Sequence, residues 1–134
     1  MTSKVNYLGD LRTSAIHIAS AKNIITDAPI DNQGKGEAFS PTDTVATALA
    51  SCLLTIMGIK ARDLNIDIKN TTAEVAKIMT SKPRRISEIQ ITVNFTKSYD
   101  QRIKKILEKA ALACPVSNSL HPDLKQNILF NWPS

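Results

Sequence analysis

The sequence predicts an α+β fold, on three observations. Its 134 residues suit one domain, expected to span residues 1–134. Short segments in which apolar and polar residues alternate, as in half-buried strands, are grouped near the start, in the middle and at the end of the chain. Two longer segments with helical spacing separate these groups. Strands and helices that are grouped, and do not alternate as βαβ units, are typical of α+β folds.

The N-terminal part of the chain predicts short strands followed by a loop. A turn is indicated at Gly9-Asp10. Alternation over residues 14–18 then places Ile16 and Ile18 on one face of a strand. A third strand is predicted over residues 23–27, and the polar, glycine-bearing residues 31–36 predict a loop.

The first helix is predicted to begin after Ser40, which suits the N-cap, with Pro41 at the first helical position. Asp43 lies three residues after the cap, as in a capping box. We expect the helix to run to about Ala61. One apolar face is predicted from residues spaced three and four apart: Val45, Leu49, Cys52, Ile56 and Ile59.

This helix also predicts a partner. Other apolar residues widen its apolar surface, and no charged residue occurs between Thr44 and Ile59. A helix that is apolar nearly all round is buried on several sides. Because a short chain has little material to cover such a helix, we expect a second subunit to do so.

The remainder of the chain predicts four strands and a second helix. Strands are expected over residues 64–69 and 73–79, with a turn at Lys82-Pro83. Alternation from Ile89 to Phe95 is typical of a half-buried strand. The second helix is predicted over residues 99–113, with its apolar face reaching Cys114, and Pro115 ends it. A last strand is predicted over residues 127–132.

Composition excludes several classes of function. The formal net charge is +5, but the basic residues are scattered, and the densest run, residues 82–85, has no aromatic neighbour. Nucleic acid is therefore not expected as a partner.

Neither a signal peptide nor 18 consecutive apolar residues is found, so we expect a cytoplasmic protein without a membrane partner. Cysteines in that compartment are expected to be reduced.

The two cysteines, taken alone, leave two interpretations open. A cysteine on an apolar helix face is usually a small buried hydrophobic residue, but it can also be a reactive thiol. The thioredoxin spacing C-x-x-C is absent. Zinc would require His17, Cys52, Cys114 and His121, whose spacings match no metal-site signature, so no metal is expected.

Three motifs resemble those of one known family. Residues 40–43 (SPTD) followed by residues 48–52 (ALASC) resemble the first-cysteine helix of the osmotically inducible protein C / organic hydroperoxide resistance (OsmC/Ohr) family. Residues 113–120 (ACPVSNSL) resemble its second-cysteine motif, and residues 7–12 (YLGDLR) resemble its N-terminal strand pair, which carries an arginine. The order and separations of the motifs match across essentially the whole chain.

The resemblance implies an OsmC-like fold, with antiparallel sheets packed around central helices in an intertwined homodimer. It also implies a thiol peroxidase in which Cys52 attacks an organic hydroperoxide, Cys114 resolves the sulfenic acid, and Arg12 supports the thiolate. A guanidinium next to a sulfur favours its charged, nucleophilic form. No bound cofactor is implied. The reductant would be an external thiol, such as dihydrolipoyl groups.

One position departs from the family pattern. In the peroxidase branch, a glutamate directly follows the proline of the first motif, where this chain has Thr42. Glu37 and Asp43 are the candidates to support Arg12 instead, although a helix cap is the better interpretation of Asp43. Arg12 could also be a surface turn residue. The alternative function is therefore a non-catalytic, stress-associated or small-molecule-binding OsmC-like homodimer.

Overall fold

The structure, a computed structural model, describes residues 1–134 and confirms the α+β class. The chain divides into two compact units, Met1–Val45 and Ala46–Ser134. Two three-stranded sheets are present, of order β1-β2-β3 and β4-β5-β6. The strands and helices are β1 (Ser3–Gly9), β2 (Arg12–His17), β3 (Asn23–Asp27), α1 (Pro41–Asp63), β4 (Thr72–Thr80), β5 (Arg85–Asn94), α2 (Gln101–Leu112), α3 (Pro115–Ser119) and β6 (Lys125–Asn131).

The first unit contains an antiparallel meander of β1, β2 and β3. The predicted turn between β1 and β2 is present. Its residues Gly9, Asp10 and Leu11 all have positive φ, at 82°, 52° and 63°. Glycine adopts this backbone region at low cost, and aspartate tolerates it better than most residues do. The turn places Arg12 at the first position of β2.

One face of this meander is apolar and uncovered. Val5 pairs with Ala15, which pairs with Ile24 on β3, and residues directly opposite one another project to the same face. Val5 is 59%, Tyr7 67% and Ile24 57% exposed. The only buried side chains of residues 1–45 are the polar Asp27 and Ser40. The first unit therefore has no buried hydrophobic core.

The second sheet departs from the antiparallel expectation. Strands β4 and β5 pair antiparallel, but β6 runs parallel to β5, with Ile91 opposite Ile128. Between β5 and β6 the chain passes through α2 and α3. A connection of that length allows the chain to return in the same direction, which a tight hairpin cannot do.

The hydrophobic core lies in the second unit. The alternation predicted for β5 is confirmed, because Ile89, Ile91 and Val93 are fully buried. They belong to one cluster with buried side chains of α1 and α2. The buried face of α1 differs from the predicted one, since Val45 and Ile59 are exposed. The residues buried on α1 are Ala46, Leu49, Ala50, Leu53, Met57 and Ala61.

One local prediction was wrong, and one short helix was not predicted. Residues 64–69 form turns and extended loop where a strand was predicted. The amide of Ile66 donates to the carbonyl of Ala61, and Asn65 has a φ of 57°. This segment therefore terminates α1 and satisfies its last carbonyl groups. After Cys114, the sequence predicted only a break, but Pro115 occupies the first position of the short helix α3.

Helix α1 also has the length and hydropathy of a membrane span, which the count of consecutive apolar residues did not indicate. Its most apolar 18-residue window has a mean hydropathy of 1.6. Core helices of soluble proteins pass the same test. Only 33% of that window is buried within the chain, which leaves much of its apolar surface available for another cover.

Candidate active site

The two cysteines, far apart in sequence, come together in the second unit. Cys52 lies in α1 and is partly exposed, whereas Cys114 lies between α2 and α3 and is fully buried. Both are free thiols. The two side chains are neighbours, because the Cys52 thiol acts on the pKa of Cys114. One cysteine is therefore partly accessible to solvent, and the other is enclosed in the core.

The surroundings of Cys114 act on its thiol in opposite directions. Burial is the largest effect and raises the pKa of Cys114, and the neighbouring Cys52 raises it further. The backbone amide of Ser117 donates to the Cys114 sulfur at 3.4 Å, which lowers the pKa. Because the effect of burial is the largest, the pKa of Cys114 is raised overall and its side chain is mainly the neutral thiol.

Ser117 is itself tied to the sheet. Its hydroxyl donates to Oε1 of Gln126 on β6, and Nε2 of Gln126 donates back to the carbonyl oxygen of Ser117 at 3.2 Å. These two bonds connect the segment after Cys114 to β6.

The first unit holds an arginine–carboxylate pair. Arg12 and Asp27 are directly opposite in the β2–β3 register. Nε and Nη2 of Arg12 each donate to one carboxylate oxygen of Asp27, both at 2.8 Å. The Asp27 carboxylate also accepts from the backbone amide of Glu37 at 3.0 Å. This bidentate geometry fixes the plane of the guanidinium.

Each member of the pair shifts the other's pKa. Hydrogen bonding from Arg12 is the largest effect on Asp27, whose pKa it holds below the usual carboxyl value. Hydrogen bonding to Asp27 in turn raises the pKa of Arg12. Both groups are therefore charged throughout the physiological range.

The other two predicted carboxylates lie in different positions. One carboxylate oxygen of Glu37 is 3.9 Å from Arg12, and its side chain is largely exposed. The Asp43 carboxylate accepts from the Ser40 amide at 2.9 Å, and the Asp43 amide donates to the Ser40 hydroxyl at 3.0 Å. This reciprocal capping box confirms the helix-cap interpretation of Asp43.

Sequence reasoning missed Asp27, the carboxylate that holds Arg12. Asp27 is the last residue of a short strand and belongs to none of the three motifs. Only the register of β2 against β3 brings it opposite Arg12. No group of three or more His, Cys, Asp or Glu side chains is arranged to hold a metal ion.

Comparison with known proteins identifies the family. The model of the OsmC-like protein family matches residues 34–128. No functionally curated protein matches the chain. Among solved structures, a candidate osmotic stress induced and detoxification response protein from Psychrobacter arcticus is 60% identical. The match covers 98% of this chain and 96% of that one, with a TM-score of 0.95.

More distant structures share the fold. An organic hydroperoxide resistance protein of Bacillus subtilis is 18% identical, with a TM-score of 0.72 and coverage of 98% of both chains. An OsmC-like protein from Mycoplasma pneumoniae is 20% identical, with a TM-score of 0.81 and coverage of 98% of this chain and 96% of that one. The family match, which spans most of the chain, and the 60% identical relative agree. The chain belongs to the OsmC-like protein family.

Proposed function

We propose that the protein reduces organic hydroperoxides, with Cys52 as the attacking thiol and Cys114 as the resolving thiol. The observation that carries the proposal is a partly exposed Cys52 that neighbours a buried Cys114. The names of two structural neighbours from Legionella pneumophila and Bacillus subtilis, both organic hydroperoxide resistance proteins, agree with it.

In the first step, the Cys52 thiolate attacks one oxygen of the peroxide. The O–O bond breaks, an S–O bond forms, and the alkoxide leaves and takes up a proton as the alcohol. Cys52 becomes a sulfenic acid. The sulfur is oxidised by two electrons and the peroxide is reduced by two. Because thiolates are the reactive form, this step needs Cys52 deprotonated.

In the second step, the Cys114 thiolate attacks the Cys52 sulfur. An S–S bond forms, the S–O bond breaks, and hydroxide leaves and is protonated to water. An external dithiol then reduces the disulfide by thiol–disulfide exchange and is itself oxidised. We propose dihydrolipoyl groups as that dithiol class. The protein itself would bind no cofactor.

We extend the family role of the arginine to Arg12, which would stabilise the attacking thiolate and hydrogen-bond to the peroxide. Its support comes from the bidentate bond with Asp27, which leaves the guanidinium in one fixed orientation. Arg12→Ala should slow the attack by about 30- to 1,000-fold, the usual cost of losing one charged contact in the transition state. Stopped-flow oxidation measures this rate, with the exposed Arg102→Ala as the control.

We also propose a cytoplasmic homodimer. The uncovered apolar face of the first sheet and the exposed Val45 and Ile59 of α1 support a second copy as the missing cover. Large, apolar interfaces of this kind are typical of obligate homodimers.

The deciding experiment is stopped-flow oxidation of the reduced protein by cumene hydroperoxide and, in parallel, by hydrogen peroxide. We expect fast oxidation of one thiol per chain, with preference for the organic peroxide, followed by loss of the second thiol. A Cys52 that ignores organic hydroperoxide would rule out the peroxidase. That result would favour the alternative function, a non-catalytic homodimer. The presence of Thr42 where the peroxidase branch has a glutamate also favours this alternative.

A further inference from the structure

We propose that Gln126 is a positioning residue for the resolving thiol. Through Ser117, it holds a backbone amide against the sulfur of Cys114. The inference rests on the proposed function, because it assigns Gln126 a part in the second step of that cycle. Gln126 lies on β6 and belongs to neither cysteine motif.

All three backbone and side-chain groups of Ser117 take part in this arrangement. Its amide donates to the Cys114 sulfur at 3.4 Å. Its hydroxyl and its carbonyl are both bonded to the side-chain amide of Gln126. The carbonyl also accepts from the Leu120 amide at 3.4 Å. Gln126 thus holds the hydroxyl and the carbonyl of Ser117, and the N–H of the same residue donates to the Cys114 sulfur.

The sheet supplies the rigidity that α3 lacks. A helix of five residues is too short to be stable without outside contacts. Gln126, in contrast, is held in the parallel ladder opposite Ile89 of β5, and Ile89 is fully buried. The pair of bonds between Ser117 and Gln126 therefore transfers the rigidity of the sheet to the segment that carries the donor.

A fixed donor matters at this sulfur because Cys114 must become a thiolate to attack. Burial and Cys52 both oppose that ionisation, and the Ser117 amide favours it. Cys52 of α1 is the titratable side chain that acts on Cys114, whereas Ser117 of α3 and Gln126 of β6 are uncharged. Loosening Ser117 should therefore make Cys114 harder to ionise.

The test uses thiol exchange and needs no peroxide. Reduced protein is mixed with an aromatic disulfide such as dithiobis-nitrobenzoate, and release of the coloured thiolate is followed by stopped flow. The accessible Cys52 attacks first and releases one thiolate, which leaves a mixed disulfide. Cys114 then attacks the Cys52 sulfur and releases the second thiolate. The second phase, measured across pH, reports the ionisation and attack of Cys114.

We expect Gln126→Ala and Ser117→Ala to shift the pH midpoint of the second phase upward by about 0.7 unit, the shift for one ordinary hydrogen bond. At neutral pH that phase should be about two- to fivefold slower, and it should recover above the midpoint. The first phase should be unchanged. Ser117→Thr, which keeps the hydroxyl, should restore the wild-type midpoint. Gln90→Ala, an exposed glutamine on β5, is the matched control.

Either of two results would overturn the inference. One is that Gln126→Ala and Ser117→Ala both keep the wild-type pH midpoint of the second phase. This holds whether the rate of that phase is unchanged or is reduced by the same factor at every pH. The other is a wild-type protein without a second phase. If Gln126→Ala does not fold, the Ser117→Ala and Ser117→Thr pair decides alone. A wild type that shows both phases but does not reduce hydroperoxide would overturn the proposed function and leave this inference standing.

Discussion

At the residue scale, the two thiols differ first in exposure. Cys52 can meet a solute, while Cys114 is enclosed by the core and bonded to the Ser117 amide. Buried thiols far from solvent are usually inert, and their reactivity then depends on a partner within reach. The pairing gives Cys114 such a partner, so the proposed roles of the two residues are not interchangeable.

The serine variants test this division of roles. Cys52→Ser should abolish turnover, because a serine hydroxyl at this position has no comparable nucleophilic anion. Cys114→Ser should allow one round and leave a sulfenic acid on Cys52. Mass spectrometry after reaction with dimedone detects that sulfenic acid. An active Cys52→Ser variant would contradict the assignment.

The Arg12–Asp27 pair predicts how stability depends on pH. Because Arg12 lowers the pKa of Asp27 in the folded protein, the pair stabilises the fold at pH values above the usual carboxyl pKa of about 3.9. That stabilisation is lost as pH falls from about 4 through the lower pKa of the folded state. Asp27→Asn should therefore flatten the fall in melting temperature over this acidic range.

Thermal unfolding followed by circular dichroism between pH 2 and pH 6 measures this dependence. Asp10→Asn is the matched control, since Asp10 is an exposed aspartate in the turn just before Arg12. An Asp27→Asn variant with the same acid profile as wild type would show that the pair does not contribute.

The motifs predicted Cys52 and Cys114 as a pair, but the carboxylate partner of Arg12 was not predictable from them. Asp27 became the partner of Arg12 because of the β2–β3 register, which is fixed by the turn between these two strands, where Ala21 has a φ of 60°. None of the three motifs includes that turn. The same holds for Gln126, which meets Ser117 only because β6 runs parallel to β5.

At the scale of single elements, the start of α1 is the best-determined feature. The capping box between Ser40 and Asp43 satisfies two backbone amides that a helix otherwise leaves unpaired. The Thr44 hydroxyl also donates to the Ser40 carbonyl at 3.0 Å. Such a cap is local, which explains why the sequence predicted it correctly.

Ser40→Ala should lower the free energy of unfolding by about 1 kcal/mol, within the range measured for N-cap serines. Urea denaturation followed by circular dichroism measures the change. Ser51→Ala, at an exposed position within α1, should alter stability far less and serves as the control. Equal stability of the two variants would contradict the capping role.

Elements whose form depends on distant contacts were predicted less well. The alternation of residues 64–69 fits a strand, but the amides of residues 64–66 donate to the last carbonyl groups of α1. The sequence predicted that the buried face of α1 includes Val45 and Ile59. The core instead covers a neighbouring face, which includes Ala46 and Ala50. A helix that is apolar nearly all round gives no sequence signal to decide between faces.

At the scale of the whole molecule, the exposed apolar face of the first sheet predicts self-association. Val5, Tyr7 and Ile24 are each more than half exposed and lie on one face of the meander. Contiguous apolar patches on a stable protein usually mark an interface. A charge placed on this face should therefore destabilise the proposed homodimer.

Ile24→Lys tests the interface directly. We expect light scattering at micromolar concentration to show a dimer for wild type and a shift toward monomer or aggregate for Ile24→Lys. Asn23→Lys is the matched control, because Asn23 precedes Ile24 on β3 and projects to the opposite face. A folded, stable wild-type monomer would refute the dimer.

The complete burial of Cys114 also fixes the route by which the proposed cycle is reset. In the disulfide, a reductant approaching from solvent meets only the Cys52 sulfur, so the transient bond to the reductant always forms there. Cys114 is then expelled as the leaving thiolate, and the amide of Ser117 is in place to receive its charge. In the proposed cycle, electrons would therefore enter at the sulfur that first gave them up, and the oxidant and the reductant would both react at Cys52.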